Sequence, residues 1–125
     1  MNTLLFEDEV FRIRGAVFEV HNELGNGFLE AVYQECLGYE FQQMGIPFVA
    51  HAPLNLTYKG TQLVQTYRPD FVCFEKIILE LKTATSIAPE HRAQLFNYLK
   101  ATGLRLGLIV NFGTHPKAQI ERIVL

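Results

Sequence analysis

The sequence of 125 residues has no apolar run long enough to cross a membrane, only two cysteines, and no excess of basic residues. A membrane-spanning helix needs about 20 apolar residues, and the N-terminus, MNTLLFEDEV, lacks the basic region and cleavage site of a secretory signal. These absences predict a cytoplasmic protein with no membrane segment. Cys36 and Cys73 lie in apolar segments without C-x-x-C spacing, so we expect two buried, reduced thiols and no disulfide.

The charge balance argues against strong non-specific binding of nucleic acid. Eleven Lys and Arg residues stand against thirteen Asp and Glu residues, a formal net charge of −2, whereas nucleic-acid-binding proteins usually have a basic surface. Eight of the acidic residues lie between Glu7 and Glu40. The negative charge is therefore concentrated in the N-terminal third, and a bound divalent cation would offset the acids of a metal site elsewhere.

Missing motifs argue against three further kinds of site. No glycine-rich phosphate loop follows a strand, because Gly25, Asn26 and Gly27 lie between two predicted helices. Nothing in the sequence supports a nucleophilic triad. His21 has no second His or Cys at zinc-binding spacing, so we interpret it as a core histidine with satisfied hydrogen bonds.

The residues that are present predict one globular domain, residues 1–125, with a single core. Apolar residues at three- and four-residue steps predict an amphipathic helix from about Phe6 to Leu24, ended by Gly25. A second helix is predicted from about Leu29 to Met44, with Leu29 and Val32 on its buried side. A third starts near Pro89, which suits a first turn, and ends near Thr102 with Gly103 as its cap.

Short runs rich in β-branched and aromatic residues predict the strands. They are 48–50, 54–58, 62–67, 71–74, 77–81, 104–112 and 120–125. We expect the strand that ends at Tyr67 to continue through Pro69 at a bulge or a sheet edge, because proline cannot donate a ladder hydrogen bond. The predicted fold class is α/β, a mixed sheet flanked by helices in the order α-α-β-β-β-α-β-β.

The stretch Pro69–Lys82, PDFVCFEKIILELK, carries the chemistry. Two apolar strands flank the polar pair Glu75–Lys76, so the stretch predicts a hairpin that brings Asp70, Glu80 and Lys82 to one end of the sheet. Charges near a core are costly unless they are paired or bind a metal. Two carboxylates and a lysine can form a divalent-metal site for phosphodiester hydrolysis. They can also form a structural ion pair in which Lys82 neutralises two acids.

A shared metal sets the register of this hairpin. Side chains alternate along a strand, so a tight two-residue loop would place Asp70 opposite Leu81, on the wrong face of the sheet. We therefore predict that Asp70 lies opposite Glu80 or Lys82. This requires a three- or four-residue loop centred on Glu75 or Lys76, or a bulge near Pro69.

Pro69-Asp70 followed by Glu80-Leu81-Lys82 resembles the PD-(D/E)XK signature of the restriction-endonuclease-like nuclease superfamily. The segment GFLEAVY, Gly27 to Tyr33, is similar to the motif that names the GxxExxY family, a branch of those nucleases. The surrounding HNELGNGFLEAVYQECL and the later QLFNYLKATG and LGLIVNFG also resemble that family, so the resemblance covers nearly the whole chain. The aromatic strand FVCF departs from the expected pattern but leaves the signature positions intact.

The resemblance implies a restriction-endonuclease-like core and a site with named roles. Asp70 and Glu80 would be metal ligands and Lys82 would position the attacking water. Glu30 would be an additional acid that reaches the metal through water, and Gln94 would lie beside the catalytic lysine.

For several other residues the sequence leaves two interpretations. Glu30 could instead have no role in the site, because a negative charge at the first turn of a helix is favourable in itself. Tyr33, one turn further, either orients Glu30 or a phosphate or packs in the core. Tyr98 either supports Gln94 or simply packs. Arg68 either contacts a phosphate or pairs with Glu80, and His91 is interpreted as a solvated helix residue.

Two functional hypotheses follow. The first is a nuclease or nuclease-like phosphodiesterase that uses Mg²⁺ or Mn²⁺ and acts on DNA or RNA. The second is a catalytically silent module of the same fold that binds nucleic acid or a protein partner. The sequence does not give the oligomeric state, and a homodimer is compatible with it.

Overall fold

The computed structural model describes residues 4–125, which form three helices and seven strands. The helices are α1 (Glu7–Leu24), α2 (Glu30–Met44) and α3 (Pro89–Thr102). The strands are β1 (Phe48–Ala50), β2 (Leu54–Tyr58), β3 (Thr61–Tyr67), β4 (Phe71–Cys73), β5 (Ile77–Lys82), β6 (Leu106–Asn111) and β7 (Gln119–Val124).

Five strands form one mixed sheet in the order β1-β4-β5-β6-β7. β5 and β6 are parallel and are joined through α3, whereas the other neighbouring pairs are antiparallel. β2 and β3 pair with each other in a separate two-stranded ribbon. Without this ribbon the order of elements is α-α-β-β-β-α-β-β, so the predicted α/β architecture is confirmed.

The sheet separates two apolar clusters. On one face α1 and α2 cover β4, β5 and β6, and α2 contributes a stripe at four-residue spacing, Tyr33, Leu37 and Phe41. On the other face α3 and Tyr67, the last residue of the ribbon, cover Ile78 and Ile109. Because β5 and β6 are covered on both faces, they are apolar at every position except Glu80, Lys82 and Asn111.

The predicted helix ends are confirmed. Gly25 follows α1, and its N–H donates to the carbonyl oxygen of His21. Gly103 follows α3 with φ of 80°, the left-handed conformation that a side chain rarely adopts. Pro89 is the first residue of α3, as expected.

Three predictions about local packing were wrong. β3 ends at Tyr67 and does not continue through Pro69, because β1 occupies the position beside β4. Leu29 and Val32 are exposed, since α2 packs through its Tyr33 stripe.

Neither cysteine is in a disulfide: Cys73 is buried and Cys36 is half-buried, so the prediction of buried thiols holds for the first and only partly for the second. Along residues 4–125, no helix has the length and apolar character that crossing a membrane requires.

Candidate functional site

The hairpin β4–β5 has the register that a shared metal requires. Phe71 pairs with Leu79 and Cys73 pairs with Ile77, which leaves a three-residue loop centred on Glu75. Asp70 lies one residue before β4, so extending the same register by one residue places Asp70 directly opposite Glu80. The predicted loop length and the pairing of Asp70 with Glu80 are confirmed.

The two carboxylates are tied to the backbone across the hairpin. The Leu81 N–H donates to Oδ2 of Asp70 at 2.7 Å, and the Asp70 N–H donates to Oε1 of Glu80 at 3.2 Å. Each carboxylate therefore accepts a backbone hydrogen bond at the end of the β4–β5 pairing. Each also has a second oxygen that takes no part in these two bonds. The backbone oxygen of Asp70 also accepts from the His51 N–H and from Nε2 of Gln34.

Lys82 shares the Glu80 side of the sheet. Residues 78, 80 and 82 of β5 alternate with the others, and Ile78 belongs to the cluster beneath α3. Glu80 and Lys82 are both half-buried and line one small cavity with residues of α3. The structure thus brings Asp70, Glu80 and Lys82 together at one sheet end.

The charges at this sheet end act on one another. Burial raises the pKa of Glu80, and the negative charge of Asp70 raises it further, while Tyr67, the Asp70 N–H and Lys82 act in the opposite direction. Desolvation raises the pKa of Glu30, with a further rise from Asp70 and an opposing effect of Lys82. Glu30 therefore lies within electrostatic reach of both residues, although its side chain is largely exposed.

Tyr33 fixes the loop that leads to Glu30. Its hydroxyl donates to the backbone oxygen of Gly25 and accepts from the Phe28 N–H. Its ring is fully buried and stacks on Phe112, with centroids 4.4 Å apart. Of the two interpretations of Tyr33, the contacts support a residue that packs in the core.

Helix α3 brings Gln94 and Tyr98 to the same cavity as Glu80 and Lys82. The Gln94 side chain is exposed, whereas Tyr98 is half-buried and stacks on Tyr67. His91 also lines the cavity, and its Nδ1 accepts from the Ala88 N–H, so it is a helix-capping residue and not a freely solvated one.

A model of the PD-(D/E)XK nuclease superfamily matches residues 7–123. The chain belongs to this superfamily. The crystal structure of SSO0001 is similar in fold, with a TM-score of 0.51 and 13% identity over 94% of this chain and 78% of that one. The comparison with curated proteins gives no significant match.

The PD-(D/E)XK signature residues fit a hard divalent cation. Among the residues that the structure describes, no group of three or more His, Cys, Asp and Glu side chains could hold a metal ion. Mg²⁺, however, is usually bound by one or two carboxylates, with waters and substrate phosphates as its other ligands. Asp70 and Glu80 offer oxygen donors of this kind from adjacent positions.

Two residues near the signature were not predicted. Gln34 lies one turn after Glu30 on α2 and donates to the backbone oxygen of Asp70 at 3.0 Å. Its four-residue spacing from Glu30 was a usable signal. Tyr67 lies beside Glu80 with its hydroxyl buried, and nothing in the local sequence pattern distinguishes it from a packing residue.

His21 and Arg68 are resolved by their contacts. His21 is buried, and its Nε2 donates to the backbone oxygen of Thr114 at 2.9 Å, which confirms a satisfied core histidine. Arg68 is exposed and contacts the backbone oxygen of His51 at 3.5 Å. Among described side chains it makes no ion pair with Glu80.

Proposed function

We propose that this chain is a metal-dependent nuclease that hydrolyses phosphodiester bonds in DNA or RNA. The observation that carries the proposal is the pairing of Asp70 with Glu80 across the β4–β5 hairpin, with Lys82 on the same face as Glu80. Membership of the PD-(D/E)XK superfamily supports it. The same evidence supports nucleic acid as the partner.

In this proposal Asp70 and Glu80 hold Mg²⁺ or Mn²⁺. The cation supplies charge neutralisation at the scissile phosphate and a lower pKa for a bound water. The hydrogen bonds from the Leu81 and Asp70 N–H groups orient the two carboxylates before substrate arrives. Such preorganisation avoids a rearrangement during the reaction.

Lys82 orients the attacking water and contributes positive charge near the phosphate. Gln94, which lines the same cavity, supports Lys82 from α3. Glu30, whose pKa responds to the charges of Asp70 and Lys82, would add an acid near the site. We also propose that the chain belongs to the GxxExxY branch. The segment Gly27–Tyr33 supports this, with Gly27 at a φ of 112° and Tyr33 bonded to the loop before Glu30.

Metal binding is tested by thermal denaturation with Mn²⁺ and Mg²⁺ in wild type and in Asp70→Asn. A ligand that binds only the folded state raises the melting temperature, so we expect a rise in wild type that is lost in the variant. Asparagine keeps an acceptor for the Leu81 N–H, which should preserve the fold. Glu75→Gln, a change in the exposed hairpin loop, is the matched control and should keep the full shift. Equal shifts in wild type and Asp70→Asn would refute the metal site.

Catalysis is tested by incubating Lys82→Ala with DNA and RNA in Mg²⁺ or Mn²⁺. We expect cleavage to fall by about 10²–10⁴-fold, the usual contribution of a positioned group that handles protons, while circular dichroism shows an intact fold. Lys100→Ala, which removes an exposed lysine of α3, should cleave normally. If wild type binds metal and nucleic acid but cleaves neither polymer, the silent-module hypothesis replaces this one.

A further inference from the structure

The Tyr67 hydroxyl is a buried polar group without a partner. Tyr67 is 7% exposed, and its hydroxyl lies close to the Glu80 carboxylate but makes no well-formed hydrogen bond to it or to any other described residue. A phenolic hydroxyl can both donate and accept a hydrogen bond. Buried hydroxyls in folded proteins nearly always bond to protein or to ordered water.

A small cavity adjoins this hydroxyl. Its volume is about 10 Å³, and the polar residues in its lining are Tyr67, Glu80, Lys82, His91, Gln94 and Tyr98. This volume is at the lower limit for one water molecule, and a buried water needs two to four polar partners. The lining offers donors on Lys82 and Gln94 and an acceptor on Glu80, in addition to Tyr67.

The phenol ring is held in place by packing. It stacks on Tyr98 with centroids 3.8 Å apart and an interplanar angle of 3°, and it belongs to the cluster of Ile78 and Leu95. The position of the hydroxyl is therefore fixed independently of any hydrogen bond. A rigid donor aimed at a polar cavity is suited to holding a water and, through it, a neighbouring side chain.

We propose that this cavity holds one ordered water that links the Tyr67 hydroxyl to Glu80 and Lys82, and that Tyr67 is a positioning residue of the site. The inference rests on the proposed nuclease function, since it concerns how the metal ligand Glu80 is held. The Asp70 N–H fixes Oε1 of Glu80 from the hairpin side. The water would restrain the same carboxylate from the α3 side, so that the Glu80 side chain is held from two directions.

Removal of the hydroxyl should weaken metal binding without unfolding the protein. Groups that orient metal ligands typically contribute 10–100-fold to metal affinity. We therefore expect the dissociation constant for Mn²⁺, measured by calorimetry, to rise by about 10–100-fold in Tyr67→Phe. The melting temperature without metal should stay close to that of wild type, because the ring and its stack on Tyr98 remain. Tyr58→Phe, which removes an exposed hydroxyl from the ribbon, is the matched control and should bind Mn²⁺ as wild type does.

The outcomes separate this inference from the function on which it rests. If wild type and Tyr67→Phe bind Mn²⁺ equally, Tyr67 has no positioning role and the inference is overturned, while the metal site stands. If wild type itself does not bind Mn²⁺, the proposed function fails first. A high-resolution crystal structure without metal decides the water directly: density within hydrogen-bond distance of the Tyr67 hydroxyl supports it, and a dry cavity or a direct Tyr67–Glu80 bond overturns it.

Discussion

Tyr33 is a buried residue whose hydrogen bonds lie just before the exposed Glu30. Its hydroxyl satisfies two backbone groups of the loop between α1 and α2, the Gly25 oxygen and the Phe28 N–H. Because Glu30 follows this loop directly, its position depends on contacts made within the core. We therefore expect any effect of Tyr33 on the site to be transmitted through the backbone of this loop.

We predict that Tyr33→Phe destabilises the protein and reduces activity. The change leaves a backbone donor and acceptor without their partner, which should lower the free energy of unfolding by about 1–3 kcal/mol. Denaturant unfolding measures this loss, and cleavage assays should show a parallel fall. Tyr39→Phe, at an exposed tyrosine of the same helix, should change neither quantity. A fully stable Tyr33→Phe with normal activity would contradict the role of the loop.

Glu80 should make the stability of the metal-free protein depend on pH. Burial and the charge of Asp70 raise its pKa above the ordinary value of 4.5. A carboxyl group with a higher pKa in the folded state binds more protons when folded, so stability falls as pH rises from that ordinary value through the raised one. Above the raised pKa of Glu80, the contribution of this group to the free energy of unfolding stays at its lower value.

We therefore predict that Glu80→Gln raises the melting temperature at neutral pH by a few degrees in EDTA. Glutamine carries no charge, and its oxygen can still accept from the Asp70 N–H. The gain should shrink as the pH approaches 4.5, because Glu80 of wild type is then protonated as well. Melting curves across this range measure the difference. A gain that grows towards acid pH would mean that the sign of the shift is wrong.

At the level of elements, the packing of α3 on the sheet depends on Gly107 in β6. A Cβ added there would lie 2.8 Å from Cδ2 of Leu95, a buried residue of α3. Real Cβ atoms do not approach other atoms so closely, so either the Leu95 side chain or α3 as a whole would have to shift. A shift of α3 would carry Gln94 and Tyr98 with it.

Gly107→Ala is therefore expected to destabilise the protein by about 1–3 kcal/mol, the usual cost of overpacking a core. Activity should fall as well, because α3 carries part of the cavity lining. Gly15→Ala is a contrasting control, since this glycine lies inside α1 and its Cβ would meet only the flexible end of Met44 at 3.4 Å. Alanine there should stabilise the helix by about 0.5–1 kcal/mol. Chemical denaturation of both variants tests the contrast.

The elements and the hairpin register could be predicted from the sequence, because they follow from local patterns and from the chemistry of the site. Apolar periodicity and glycine ends located the helices. Hydrophobicity could not determine the hairpin register, since β4 and β5 are buried on both faces. The requirement that Asp70 share a face with Glu80 did determine it.

Other features depend on contacts between distant segments. The pairing of β4 with β1 instead of β3 joins two apolar strands whose local sequences give no preference. On α3 three neighbouring apolar residues differ in burial, since Leu95 and Leu99 are buried whereas Phe96 is 38% exposed. The choice was decided by which leucines fit over Gly107 and Ile109. Tyr67 was missed for the same reason, since its neighbours come from β5 and α3.

At the level of the whole molecule, the charge is divided between two parts. Residues 7–40, which form α1 and most of α2, carry eight acidic and two basic residues, whereas the rest of the chain carries five and nine. The small net charge therefore hides a strong asymmetry. Nucleic acid should approach from a side other than that of α1 and α2, which carry most of the acidic residues.

We predict that Arg68→Ala weakens oligonucleotide binding in EDTA, which prevents cleavage. Arg68 is exposed and lies two residues before Asp70, so its contact would be with a phosphate next to the site. Its loss should also reduce the dependence of log affinity on log salt by about 1. Arg14→Ala, on the acidic helix α1, should leave both unchanged. Equal losses for the two variants would argue against a directed approach.

The ribbon has a consequence for local opening. Its strands pair only with each other, and all of β3 except Tyr67 is exposed, so its amide protons should exchange with solvent faster than those of β5 and β6. Tyr67 ends the ribbon, and Asp70 follows three residues later. A fluctuation that frays the ribbon would therefore withdraw Tyr67 and loosen Asp70 while the sheet stays folded. A molecule that bound the ribbon in this frayed state would inactivate the site without contacting its residues.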